Sequence, residues 1–155
     1  MEVQPESRDR QKTGPHARPG QREFSAVVEK IPPLRVLVVD DEPLIRWSLS
    51  ETLVDRGCET VEAADGRSAL QAVSETPNPF DVVLLDLRLP DSSDLGLLAR
   101  LRALTPAAQV ILMTAFGAPD VLQRALDLGA SHVVTKPFEV ADVAALVSQP
   151  RSPVV

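Results

Sequence analysis

Short apolar runs alternate with stretches of helical periodicity from Leu34 to near the end of the chain. The strand-like runs are LRVLVV (34–39), CETVEA (58–63), FDVVLL (80–85), QVILM (109–113) and HVVT (132–135). The helix-like stretches are PLIRWSLSETLVDRG (43–57), DGRSALQAVSET (65–76), SDLGLLARLRAL (93–104), PDVLQRALDLG (119–129) and EVADVAALVSQ (139–149). Strands that alternate with helices in this way predict an α/β chain, with a parallel sheet that helices cover on both faces.

Residues typical of helix ends support these boundaries. Pro43 suits the first turn of the first helix, and Gly57 suits its end. Asp65 is a good N-cap for the second helix. The apolar side of the first helix is predicted from residues at helical spacing, which are Leu44, Ile45, Ser48, Leu49 and Leu53.

The two ends of the chain lack this pattern. Residues 1–33 are rich in Pro, Gly, Gln and charge and contain few large apolar residues, so we predict a disordered tail. Residues 34–149 are predicted to form one folded domain, followed by a short C-terminal tail at 150–155.

Composition narrows the classes of function. Residues 34–155 carry ten Lys/Arg and seventeen Asp/Glu, and this acidity argues against direct nucleic-acid binding by the chain. No apolar run approaches the length of a membrane span, and the N-terminus lacks a signal-peptide pattern. The single cysteine, Cys58, excludes an internal disulfide framework, and we expect a cytoplasmic location.

Polar side chains follow four of the five predicted strands. Asp40 and Asp41 follow the first strand, Asp86 the third, Thr114 the fourth and Lys136 the fifth. Ligands of open parallel sheets bind beyond the carboxyl ends of the strands, near the point where the strand order reverses. We therefore expect three carboxylates, a hydroxyl and an amine to converge at one edge of the sheet.

This set of groups predicts metal-assisted chemistry. Clustered carboxylates need a counter-charge to stay ionised, and Mg²⁺ suits a site with few carboxylates and several waters. Lys136 is the only lysine after Leu34, beside nine arginines, and its slim ammonium can reach a phosphoryl group or a carboxylate. Asp86, beside a metal ion and a lysine, could act as a nucleophile toward phosphorus.

Four segments, VLVVDDEP, DVVLLDLRLPD, VILMTAFG and LGASHVVTKPF, resemble the receiver domain of two-component response regulators at these spacings. The resemblance extends from about Leu34 to Val147, and DDEPLIRW and TAFG look closest to the nitrogen-regulatory class of transcription activators. The resemblance implies a flavodoxin-like, five-stranded parallel sheet of order 2-1-3-4-5.

The resemblance also implies a chemistry. Asp86 would accept a phosphoryl group from a phosphohistidine on a sensor histidine kinase or phosphotransfer protein, in a Mg²⁺-dependent reaction. Asp41, Asp86 and the backbone carbonyl of Arg88 would bind the Mg²⁺ directly, and Asp40 would act through water. The chain would not be an enzyme beyond its own phosphotransfer and dephosphorylation.

Further residues take roles by the same resemblance. Lys136 would pair with Asp86 and then with the phosphoryl oxygens, and the Lys136–Pro137 peptide bond would be cis. Thr114 would swing its hydroxyl toward the phosphoryl group, and the small Ala115 would keep the approach open. We also predict that Arg88 and Phe116 flank that group and set its lifetime by limiting the access of water.

Phosphorylation would then act as a switch. The loop after Thr114 would move and reshape the face made by the fourth helix, fifth strand and fifth helix, which would bind an unknown downstream protein. A phosphorylation-dependent dimer is one form that this response could take.

The sequence departs from the family pattern in three places. Val133 stands where many receivers carry Tyr or Phe, and Ser92 and Asp94 stand where the family often has Gly. We also expect no output domain, which the activator class normally carries, because the sequence reaches only eight residues beyond Val147.

Other interpretations stay open. Val133 favours a phosphorylation-independent interaction module of receiver fold, whereas the intact acids, Thr114 and Lys136 oppose it. A truncated fragment of a transcriptional activator is a further alternative. A phosphatase or hydrolase would need a second acid two residues after its nucleophile, and that residue here is Arg88.

Overall fold

The computed structural model describes residues 32–77, 79–115 and 117–149. Most of the predicted N-terminal tail and all of the short C-terminal tail lie outside the described residues. The elements in chain order are β1 (Arg35–Val39), α1 (Pro43–Asp55), β2 (Glu59–Ala63), α2 (Gly66–Glu75), β3 (Val82–Asp86), α3 (Gly96–Leu104), β4 (Gln109–Thr114), α4 (Pro119–Asp127), β5 (His132–Thr135) and α5 (Val140–Val147). Within these ranges, no helix combines the length and apolar character needed to cross a bilayer.

The strands form one parallel sheet of order β2-β1-β3-β4-β5, which confirms the predicted flavodoxin-like arrangement. The order reverses between β1 and β3, so a crevice is expected beyond the carboxyl ends of these two strands. The register aligns these ends, because Val39 pairs with Leu85 and Asp86 pairs with Met113. Residues that follow neighbouring strands therefore come close together.

Alternate residues of each strand face opposite layers of the core. In β1, Leu37 and Val39 pack with α2, α3 and α4, whereas Val36 and Val38 pack with α1 and α5. Both sets are fully buried. Helices therefore cover both faces of the sheet, as predicted, and the polar groups that follow the strands are confined to its edge.

The helix ends follow the sequence signals with one difference. Pro43 occupies the first turn of α1, and Gly57 and Gly129, just after α1 and α4, have φ values of +89° and +102°. These left-handed conformations favour glycine, which explains why the helices end there. Leu44, however, is 73% exposed rather than part of the buried side, because α1 turns Ile45, Leu49 and Leu53 to the sheet.

Candidate functional site

The turn after β1 places a fully buried carboxylate beside the sheet. Asp40 is 0% exposed, and its backbone N–H donates to the carbonyl of Ala63 on β2 at 3.1 Å. Its Oδ1 accepts the backbone N–H of Glu42 at 2.9 Å, which closes the turn into α1. The next residue, Asp41, is exposed. The two acids are thus held in different environments by one short turn.

Asp86 is the last residue of β3 and is 5% exposed. Its Oδ1 accepts the backbone N–H of Arg88 at 3.1 Å, and its Oδ2 faces the ammonium of Lys136 at 3.2 Å. Each oxygen of this nearly buried carboxylate therefore has a partner at the edge of the sheet.

Lys136 follows β5 and brings the strand ends together. Its Nζ lies 2.8 Å from Oδ2 of Asp40, 3.2 Å from Oδ2 of Asp86 and 3.5 Å from Oε1 of Glu42. Its backbone N–H donates to the carbonyl of Thr114 at 2.7 Å. The Lys136–Pro137 bond is cis, as the resemblance implied. One ammonium therefore contacts carboxylates that lie 50 and 96 residues away in sequence.

Burial and neighbouring charges at this edge shift the pKa values of Asp86 and Lys136. Burial raises the pKa of Asp86 from 3.8 to about 6, and the charge of Asp40 adds to the rise, whereas the Arg88 amide and Lys136 oppose it. Burial lowers the pKa of Lys136, but the hydrogen bonds and charges of Asp40 and Asp86 outweigh it, so this pKa is raised above 10.5. Lys136 is thus charged at neutral pH, whereas burial disfavours the ionised form of Asp86.

The carboxylates also fit a small divalent cation. One oxygen each of Asp40, Asp41 and Asp86 lies within 4.8 Å of the other two. Opposite ligands of an octahedral Mg²⁺ ion are about 4.2 Å apart, so oxygens this close together are within the range that one such ion could bridge. Oxygen atoms are the ligands that Mg²⁺ prefers. Donor type and spacing therefore both match the cofactor expected from the sequence.

Thr114 and Ala115 lie at the same edge. Thr114 ends β4, is 2% exposed, and follows Met113, the register partner of Asp86. Ala115 is exposed and lines a cavity of about 470 Å³ with Lys136 and residues of α1 and the start of α5. Phe116, which was predicted to flank the phosphoryl group, lies outside the described residues.

Val133 occupies the middle of β5 and is half-buried against the core on the α2, α3 and α4 side of the sheet. A side chain that swings between buried and exposed positions needs space and length that this valine lacks. Val133 therefore cannot make the movement open to the Tyr or Phe that many receivers carry at this position.

Hydrogen bonds hold the loop between β3 and α3 in place. Leu89 and Ser92 exchange two backbone hydrogen bonds of 2.8 and 3.3 Å, and Oδ1 of Asp94 accepts the Gly96 amide at 2.9 Å. The carboxylate of Asp91 accepts the first two amides of α2, from Gly66 at 2.7 Å and Arg67 at 3.0 Å. The loop that begins at Asp86 is thereby joined to the N-terminus of another helix.

Three residues at or near the site had no role in the sequence prediction. Glu42 approaches Lys136, Arg46 donates from Nη1 to the carbonyl of Asp40 at 2.6 Å, and Asp91 caps α2. Glu42 was visible as the third acid of the run, and Arg46 lies one helical turn after it. Asp91 gave no signal, because its partners are 24 and 25 residues earlier in the chain.

Comparison with known proteins agrees with this geometry. The protein-family model for the response regulator receiver domain matches residues 36–148. Sporulation initiation phosphotransferase F of Bacillus subtilis is 36% identical over 110 residues, which cover 70% of this chain and 86% of that protein. Transcriptional regulatory protein KdpE of Mycobacterium tuberculosis is 45% identical over 103 residues, 66% of this chain.

The match to KdpE covers 44% of that protein, so the chain spans less than half the length of this relative. Among solved structures, a CheY-like receiver domain protein from Methanospirillum hungatei superimposes with a TM-score of 0.69 at 27% identity, covering 74% of this chain and 90% of that one. Sequence, fold and site geometry lead to one assignment: the chain belongs to the response regulator receiver domain family.

Proposed function

We propose that this receiver accepts a phosphoryl group on a carboxylate oxygen of Asp86 from a phosphohistidine of a sensor kinase or phosphotransfer protein. The P–N bond of the donor breaks, the bond between phosphorus and the Asp86 oxygen forms, and the donor imidazole leaves. The observation that carries the proposal is the nearly buried carboxylate of Asp86, which faces the Lys136 ammonium at 3.2 Å and lies beside Asp40 and Asp41.

The proposed ligands of Mg²⁺ are Asp41, Asp86 and the backbone carbonyl of Arg88, with Asp40 acting through water. The bound ion would neutralise negative charge on the transferring phosphoryl group and hold it in line with Asp86. Asp40 also fixes Lys136 at 2.8 Å. Asp40 therefore serves the metal and the lysine at once.

Lys136 is proposed to change partners during the transfer. Before the transfer its Nζ contacts Oδ2 of Asp86 at 3.2 Å and Oδ2 of Asp40 at 2.8 Å. When an Asp86 oxygen becomes esterified, the ammonium can keep Asp40 and donate to a phosphoryl oxygen instead. Asp40 and Asp86 raise the pKa of Lys136, so the ammonium is charged before the transfer.

Thr114 is proposed to report the phosphoryl group to the rest of the domain. It ends β4 next to Lys136, and the loop after it leads into α4. A hydroxyl that turns toward the phosphoryl oxygens moves this loop and the face made by α4, β5 and α5. Because Val133 replaces the usual aromatic residue, we propose that the loop itself carries the change to a downstream partner or a second copy of the chain.

Arg88 is proposed to limit the access of water to the acyl phosphate. It is exposed, lies two residues after Asp86 and donates its backbone N–H to the Asp86 carboxylate, so the residue is next to the acceptor. The same role is proposed for Phe116, which lies outside the described residues. The Arg88→Ala and Phe116→Ala variants should both shorten the lifetime of the phosphorylated form, and unchanged decay in both would contradict this role.

The decisive experiment is labelling with acetyl phosphate, which needs no partner protein. Purified protein is incubated with acetyl phosphate and Mg²⁺, the acyl phosphate is trapped with borohydride, and the modified residue is located by peptide mass spectrometry. Asp86→Asn removes the acceptor, and Asp94→Asn is the matched control, because Asp94 is an exposed acid of the same loop.

We expect labelling at Asp86 that EDTA abolishes, that Asp86→Asn lacks and that Asp94→Asn retains. The absence of Mg²⁺-dependent labelling in the wild-type protein would favour the phosphorylation-independent interaction module instead. Phosphotransfer from purified sensor kinases then identifies the donor.

A further inference from the structure

Arg46 connects the acid-bearing turn to the edge strand of the sheet. From the first turns of α1 its Nη1 donates to the carbonyl oxygen of Asp40 at 2.6 Å, and its Nε lies 3.3 Å from Oε1 of Glu62 on β2. The side chain is 19% exposed. A planar guanidinium can bind two acceptors in fixed directions, so the position of this carbonyl is defined by β2 as well as by β1.

The carbonyl that Arg46 binds belongs to the peptide unit between Asp40 and Asp41. A peptide unit is a rigid plane, so fixing its oxygen fixes the direction in which the chain enters Asp41. Within the described part of the chain, the Asp41 carboxylate makes no side-chain hydrogen bond or ion pair, whereas Asp40 is held by Glu42 and Lys136. The placement of the Asp41 carboxylate therefore depends on its backbone.

The charge of Arg46 is offset by its second partner. A lone guanidinium beside this cluster would repel an incoming cation. Glu62 lies within ion-pair distance of the Arg46 guanidinium, so the Arg46–Glu62 pair has no net charge. The effect of Arg46 on the metal site is then mainly geometric.

We propose that Arg46 is a positioning residue for the cation site, which holds the Asp40–Asp41 peptide so that the Asp41 carboxylate faces Asp86, and that Glu62 anchors and neutralises it. This inference rests on the proposed function, since it concerns the affinity of the same site for Mg²⁺.

The test is titration calorimetry of Mg²⁺ with the unphosphorylated protein, well below the thermal unfolding temperature of each variant. Arg46→Gln removes both contacts, Glu62→Gln removes the anchor, and the double variant completes the cycle. Arg100→Gln is the control, because it removes the same charge from an exposed position on α3.

We expect Arg46→Gln to bind Mg²⁺ about tenfold more weakly, as is usual when a residue that orients a metal ligand is lost. Arg46→Lys should recover only part of this loss, because one ammonium cannot contact both partners. Glu62→Gln should bind Mg²⁺ more weakly mainly at low salt, because the unpaired Arg46 guanidinium repels the cation. Salt screens this repulsion as its concentration rises from about 0.01 M to about 1 M. The double variant should match Arg46→Gln, and Arg100→Gln should match the wild type.

Wild-type affinity in Arg46→Gln, with or without a lower unfolding temperature, would overturn this inference and leave Arg46 a purely structural residue. A wild-type protein that binds no Mg²⁺ and takes no label from acetyl phosphate would instead overturn the proposed function, and this inference with it. The two failures are thus distinguished by the wild-type protein alone.

Discussion

Replacing Asp86 with asparagine should stabilise the metal-free domain at neutral pH. The carboxylate is 5% exposed and lies beside Asp40, and burial raises its pKa to about 6. Asparagine has nearly the same shape and carries no charge. Lys136 keeps its 2.8 Å contact with Asp40 in the variant, so no ammonium is left unpaired.

The pKa of Asp86 sets the size of the effect. A rise from 3.8 to about 6 corresponds to about 3 kcal/mol, since each tenfold change in acidity is about 1.4 kcal/mol. When folding raises the pKa of an acid, its contribution to the free energy of unfolding is fully present below the pKa of the unfolded state. This contribution is lost as pH rises through the pKa of the folded state. The advantage of Asp86→Asn should therefore be close to zero below pH 3.8, grow between pH 3.8 and about 6, and level off at up to about 3 kcal/mol above that.

The assay is urea unfolding at a series of pH values in EDTA, for wild type, Asp86→Asn and the exposed control Asp94→Asn. The control should show no comparable gain. Millimolar Mg²⁺ should shrink the advantage of Asp86→Asn, because ligand binding stabilises only the wild-type site. An Asp86→Asn variant that is less stable than wild type at pH 8 in EDTA would refute the inference that the ionised Asp86 carboxylate destabilises the fold.

Two further predictions concern residues outside the acid cluster. Asp91→Ala should lower the free energy of unfolding by about 1–2 kcal/mol, because it leaves the Gly66 and Arg67 amides of α2 without their cap, and an unchanged urea midpoint would contradict this. Leu44→Ala should slow phosphotransfer from a sensor kinase and leave labelling by acetyl phosphate unchanged, because Leu44 is 73% exposed and lines the cavity beside Lys136, where only a protein donor would contact it. Leu104→Ala is the matched control, since Leu104 is also exposed but lies at the end of α3, and an equal loss in both variants would refute a docking role for Leu44.

The alternation of strands and helices was predictable because the apolar runs and the residues at the helix ends indicate the same boundaries. Apolar runs of four to six residues, with Gly and Pro at the helix ends, define βα units, and the parallel sheet follows from their repetition. The convergence of Asp40, Asp86 and Lys136 follows in turn, because aligned strand ends meet at one edge. The strand order itself came from the family resemblance rather than from the pattern.

The contacts around the site could not be predicted, because they depend on the direction of side chains. Helical spacing placed Leu44 on the apolar side of α1, but the rotation of the helix exposes it and turns its neighbours to the core. Arg46 had no role in the sequence prediction, and only its nearness to the Asp40 carbonyl and Glu62 gives it one. These roles arise from distances between elements, which periodicity does not encode.

The formal charges at the sheet edge suggest why the site depends on each of its parts. Asp40, Asp41 and Asp86 with one ammonium leave a formal charge of −2 when all three acids are ionised, and the raised pKa of Asp86 shows that burial makes this charge costly. A divalent cation would bring the total to zero. A phosphoryl group then replaces the single charge of Asp86 with about two negative charges and new acceptor oxygens. The formal charge of the site is then no longer zero. The added negative charge and acceptor oxygens favour a movement of Lys136 and Thr114 toward the phosphoryl oxygens. In a domain whose β5 carries Val133 rather than an aromatic residue, we propose that this charge imbalance drives the change of the α4–β5–α5 face.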